Sequence, residues 1–171
     1  MNTSRFFFAP LVLFPALAFA IGVDDLPWPV NQNLPSQVYE AFSIYPDTGK
    51  YILSAHVNPF YVHGDFDGDG QLDTAILIKE KSSLKIGIAI LHSGSKTAFV
   101  LGAGNTLGNG GDDFSWMDAW HIYQKGQVSR GADETKPPVL KGDALYVEKT
   151  ESASALLYWT GEAYAWYQQG D

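Results

Sequence analysis

The chain has 171 residues, 19 acidic against 11 basic, a formal net charge of −8 and no cysteine. That balance argues against nucleic acid or an anionic lipid surface as a partner and favours a cation or a basic protein. Without thiols there are no disulfides, so core packing, a metal or both must hold the fold.

In chain order, residues 1–20, MNTSRFFFAPLVLFPALAFA, carry one base, Arg5, then an apolar run that closes on Ala18-Phe19-Ala20. This is the pattern of a secretory signal peptide cleaved after Ala20. Pro10 and Pro15 interrupt the run, which is also short for a spanning helix. Removal of Arg5 with the leader leaves a net charge of about −9. No later stretch is long and apolar enough to span a bilayer, so 21–171 reads as a single exported domain without membrane insertion, with the bacterial periplasm as the expected compartment.

Residues 21–35 are rich in Pro and Asn and read as an extended lead-in. Val38, Ala41, Phe42 and Tyr45 follow Pro35 at helical spacing, which predicts a short helix near 35–44. From Lys50 onward the pattern turns strand-like. YILSAHV, FYVHGDF, DTAILIKE, LKIGIAILH and TAFVLG are short, β-branched and aromatic, and turn residues separate them. Residues 102–115, GAGNTLGNGGDDFS, form a Gly/Asn-rich loop, and WMDAWHIY follows as a strand. A polar loop spans 124–138. ALYVEK comes next, then ALLYWTGEAYAWYQ as a hairpin turning at Thr160-Gly161. The expected class is all-β: an antiparallel meander forming a propeller-like sheet or a compact sandwich, with one short N-terminal helix.

Between two of these strands lies HGDFDGDGQLDTAIL, residues 63–77. Asp65, Asp67 and Asp69 recur at every second position, and Asp73 closes the series. Unscreened, each close carboxylate pair costs on the order of 1 kcal/mol even in water-like surroundings. Ca²⁺ takes six to eight oxygen ligands from flexible acidic loops of this kind. Gly68 and Gly70 permit the tight curl, and the Gln71 carbonyl can supply a main-chain ligand. The loop is not an EF-hand. Counted from Asp65, the twelfth residue is Ile76, where the EF-hand needs Glu, and the flanks alternate as strands.

This D-x-D-x-D-G-x-x-D series, with its Gly64-Asp65-Phe66 entry and Leu72-Asp73-Thr74-Ala75-Ile76-Leu77 exit, resembles the calcium loop of FG-GAP and VCBS-type repeats, found in integrin-like propeller blades. The resemblance covers about residues 60–80. It implies one Ca²⁺ held by Asp65, Asp67, Asp69 and Asp73 with the Gln71 backbone. The single copy departs from the family, since a closed propeller needs several blades.

Other signals are weaker. Ser82-x-x-Lys85 matches a penicillin-binding signature, but it falls in a turn and lacks the K-T-G partner. His56, His63, His92 and His121 are scattered, without zinc spacing. Asp112 or Asp113 with Asp118 could pair as in a glycosidase, yet a chain with 19 acids offers many such pairs. No catalytic constellation stands out, and the expectation is a non-enzymatic protein. Trp116, Trp120, Trp159, Trp166, Tyr158, Tyr164 and Tyr167 crowd the last third and read first as core. The long loop ending in Asp112 and Asp113, followed by Trp116, is the expected partner-binding surface. The leading expectation is a calcium-binding protein that engages another, basic protein, as an inhibitor or immunity protein against a cell-wall hydrolase. The alternative is a calcium-braced glycan-binding module with exposed, coplanar rings.

Overall fold

The computed structural model describes residues 49–95, 98–132 and 136–170. The expected signal peptide, the lead-in and the helix at 35–44 lie outside these residues. Among the described residues, nine strands form two antiparallel sheets, and the one helical element is a 3-10 turn at Gly108–Gly110. The fold is all-β, with no closed barrel and a sandwich-like arrangement of the two sheets.

The first sheet holds β1 (Tyr51–Leu53), β2 (Tyr61–Gly64), β3 (Asp73–Glu80), β4 (Ile86–Leu91) and β5 (Ala98–Gly102). Its centre is β3. Along one edge β3 pairs with both β1 and β2, and along the other with β4. Two of these registers position the acidic residues. Gly64 lies opposite Asp73, so the aspartate series is the connection of a β2–β3 hairpin. Thr74 lies opposite Leu91, which brings His92 and Ser93 beside Asp73.

The second sheet is a meander of β6 (Ala119–Tyr123), β7 (Ala144–Lys149), β8 (Ala153–Trp159) and β9 (Tyr164–Gly170). The terminal hairpin turns over Thr160–Ala163, where the Thr160 N–H and hydroxyl both donate to the Ala163 carbonyl.

Alternation decides which face each side chain takes. Ala75 and Leu77 of β3, and Ile86, Ile88 and Ile90 of β4, face Leu145, Val147, Ala155 and Leu157 of the second sheet in one shared core. Each fully buried Leu or Ile contributes about 1.5–3 kcal/mol. The opposite parity is buried as well. Ile76 and Ile78 pack with Tyr51, Leu53 and Ala89 on the other face of the first sheet. Buried on both faces, the middle of β3, residues 75–78, reads as an unbroken apolar run.

At the entry to β6, Asp118 fastens two strands of the meander. Its carboxylate accepts the Thr150 N–H and hydroxyl, both at 2.8 Å, and pairs with Lys149 at 3.0 Å. The Thr150 N–H, then its hydroxyl and Lys149, hold the carboxyl down at about 2, below the usual 3.8. A depressed carboxyl contributes stability that is present above pH 3.8 and lost as pH falls toward about 2. Asp118→Asn should therefore be less stable than wild type at pH 5, with the gap closing at pH 2. Urea denaturation at both pH values measures this, and a gap that widens in acid would contradict it.

Candidate metal centre

The β2–β3 connection leaves Gly64 and folds back on itself through Asx-type hydrogen bonds. The Asp65 carboxylate accepts the N–H of Gly68 at 2.8 Å and of Gly70 at 3.0 Å. Asp67 accepts the N–H of Asp69, and Asp69 that of Gln71. Gly68 and Gly70 both sit at positive φ, +83° and +86°, which these short back-bonds require. The curl turns the alternate side chains to one side. An oxygen from each of Asp65, Asp67 and Asp69 lies within 4.8 Å of the others. Such a group could hold a metal ion.

Asp73 sits deeper. It is 1% exposed. One carboxylate oxygen accepts the Phe66 N–H at 2.9 Å and the Asp67 N–H at 3.3 Å, and the other accepts the Ser93 N–H at 2.7 Å. Burial pushes its carboxyl above the usual range, against the lowering effect of the Ser93 and Phe66 N–H groups. Asp73 thus joins the loop entry, the start of β3 and the end of β4 in one bond set. It forms a second group with Asp67 and His92 whose ligand atoms also lie within 4.8 Å. Asp67 belongs to both groups.

His92 links this loop to the second sheet. Its Nδ1 lies 3.3 Å from the Asp67 carboxylate and its Nε2 2.8 Å from the Tyr164 hydroxyl. Phe99, Trp159 and Tyr164 surround the imidazole with centroids 4.9–5.9 Å away. Burial, then the charges of Asp73 and Asp67, push the Tyr164 phenol well above its ordinary range, so it stays neutral.

Asp143 joins this region although its place in the sequence does not suggest it. Its N–H donates to the Asp65 carbonyl at 2.6 Å. Its carboxylate accepts the Asp65 N–H at 3.2 Å and the Lys125 N–H at 2.9 Å. The Lys141–Gly142 backbone lies flat against the loop. A Cβ on Gly142 would fall within 3.0 Å of the Asp65 carbonyl oxygen, the Gly68 nitrogen and the Phe66 carbonyl oxygen. Gly142-Asp143 repeats the Gly64-Asp65 dipeptide, but so do residues 111–112 and 170–171, so the sequence does not single it out.

Gln71 donates its side-chain amide to Asp69 at 2.8 Å and accepts the Ser93 hydroxyl at 3.3 Å, on the exposed rim of the loop. Asp112 and Asp113, expected on a partner-binding surface, do not reach the aspartate loop. Asp112 is ion-paired with Lys85. Asp113 accepts the N–H groups of Ile86 and Ser115 and the Ser115 hydroxyl. Burial raises the Asp113 carboxyl, but these donors outweigh it and hold the group below its usual range. Phe114 is fully buried, and it and Ala103 both donate their N–H groups to the Ile86 carbonyl, so the two ends of the 102–115 segment are pinned to the start of β4. Trp116 is half-buried, donates its indole N–H to the Gly110 carbonyl and meets Trp166 at 73°. The two rings are crossed and do not make a coplanar platform. Searches with this chain matched no family model, no curated protein and no solved structure.

Proposed function

We propose that the aspartate loop binds one Ca²⁺ that braces the β2–β3 hairpin, and that the chain is an exported, non-enzymatic protein that binds another protein. The observation that carries the metal reading is the convergence of Asp65, Asp67 and Asp69, with Asp73 at the root of the same hairpin. Carboxylate oxygens at this spacing are the ligand type that a hard cation takes. In this reading Asp65, Asp67, Asp69 and Asp73 with the Gln71 backbone form the ligand set, as the FG-GAP and VCBS resemblance implies. The ion acts on the fold. It joins a connection already tied to Ser93, just after β4, through the Asp73 carboxylate, and to Asp143, just before β7, through the Asp65 N–H.

The partner reading rests on charge. A chain at −8, or about −9 without its leader, is steered toward a basic protein. Basic hydrolases of the cell wall fit that description in the periplasm, and an inhibitor or immunity protein is the proposed role. The test is clearance of a cell-wall suspension by a panel of purified basic wall hydrolases, with the chain added in calcium or in chelator. Slowed clearance in calcium, weakened in chelator, is the expected result. Unchanged clearance by every enzyme, with no co-elution on gel filtration, would contradict the inhibitor role.

A further inference from the structure

A second feature lies away from the aspartate loop and does not rest on the calcium reading. A cleft of about 490 Å³ opens where the Gly108–Gly110 turn meets β8 and β9. Trp116 and Trp166 form its walls, and Asn109, Ser154 and Gln168 supply its polar groups. In a chain with 19 acids, no charged residue lines it among the described residues. The volume falls in the ~300–1,000 Å³ range of small-molecule sites, which pair aromatic walls with a few placed polar groups.

The walls are held in advance. A Cβ on Gly108 or Gly110 would lie within 3.0 Å of the Trp166 side chain, so the turn seats on that ring as only glycine allows. Trp116 crosses Trp166 at 73° with centroids 6.1 Å apart, and Phe114 supports both. Both indole N–H groups are engaged inside the protein. Trp116 donates to the Gly110 carbonyl, and Trp166 donates to Gln168 Oε1 at 3.0 Å. Gln168 is anchored in turn by the carbonyls of Ser154 and Gly170. What the cleft offers a ligand is therefore aromatic surface. At its rim, the Asn109 amide and the Ser154 hydroxyl have no hydrogen-bond partner among the described residues.

We propose that this cleft binds one residue of a neutral saccharide. A pyranose carries polarised C–H groups on its faces, which suit the electron-rich face of an indole. Its ring hydroxyls both donate and accept, as an amide and a hydroxyl together require. The net charge of −8 disfavours an anionic sugar. An aromatic peptide side chain would fill the corner between the rings but leave the rim groups unmatched. Pre-set walls lower the ordering cost of binding.

The experiment is titration of the full chain with N-acetylglucosamine tetramer, cellotetraose and a short tyrosine-containing peptide, followed by tryptophan fluorescence and calorimetry. A saccharide should bind with Kd of about 1 mM or tighter. Asn109→Ala with Ser154→Ala, which leave the ring packing intact, should weaken binding about 10-fold. Trp166→Ala should abolish it, with circular dichroism reporting whether the variant folds. Absence of saccharide binding overturns the proposal, whether or not the peptide binds. Saccharide binding unweakened by the double variant places the sugar elsewhere and also overturns it.

Discussion

Asp73→Ala is expected to lower the free energy of unfolding by about 3–5 kcal/mol, measured by urea denaturation in chelator. The residue looks like one ligand among several in the sequence, but its carboxylate is almost fully buried and accepts three backbone N–H groups. Alanine would strand all three. The Phe66 N–H is buried, and each unsatisfied buried donor costs about 1–3 kcal/mol. The fully buried Phe66 ring would lose the bond that sets its backbone. Asp73→Asn should cost nearly as much, because its amide NH₂ would face donors. The contrast is Asp69→Ala. Asp69 is exposed and accepts only from Gln71, so its loss should cost under about 1 kcal/mol without calcium. Equal losses for Asp69→Ala and Asp73→Ala in chelator would remove the distinction between rim and root.

Gly142→Ala should be comparably severe, at about 3 kcal/mol or more. The added methyl would press on backbone atoms of Asp65, Phe66 and Gly68, none of which can rotate aside as a side chain could. Relief requires the 141–143 backbone to lift from the aspartate loop. That motion breaks the paired bonds between Asp65 and Asp143. Amide exchange followed by NMR is the informative readout. Protection at Asp65 and Asp143 should fall more than at β8, an inner strand of the second sheet. Unchanged protection at Asp65 would show that the contact is not what seats the loop.

The strands were legible because apolar and β-branched runs alternate between clear turn residues. Every strand overlaps a predicted segment, and the differences lie at the ends. WMDAWHIY begins as a strand only at Ala119, because Met117 turns back to bond Phe114 and both side chains are buried. The last hairpin instead runs longer than its apolar core, from Ala153 to Gly170, because backbone pairing carries on past the aromatic residues. The aspartate spacing was legible for the same local reason: alternation puts the three carboxylates on one side. What spacing cannot show is a partner set by sheet register or by packing between sheets. His92 reaches Asp67 because Thr74 pairs with Leu91, and Asp143 meets Asp65 across 78 positions of chain. The 102–115 segment read as a free loop because its glycines and asparagines are local signals. Its anchors on Lys85 and Ile86 are not. The cleft was half legible. The sequence marks Trp116 after the long loop, but the crossing of Trp116 with Trp166 and the seating of Gly108 and Gly110 on the Trp166 ring are set by packing.

The most direct test of the central claim is a calorimetric titration of chelator-stripped chain with Ca²⁺, paired with melting curves of the same samples. The expected result is one ion bound per chain, with binding lost in Asp65→Ala and in Asp69→Ala. At calcium 100 times the Kd, stability should rise by about 2.7 kcal/mol. No binding heat, together with melting curves that coincide in calcium and in chelator, would contradict a calcium brace at this hairpin.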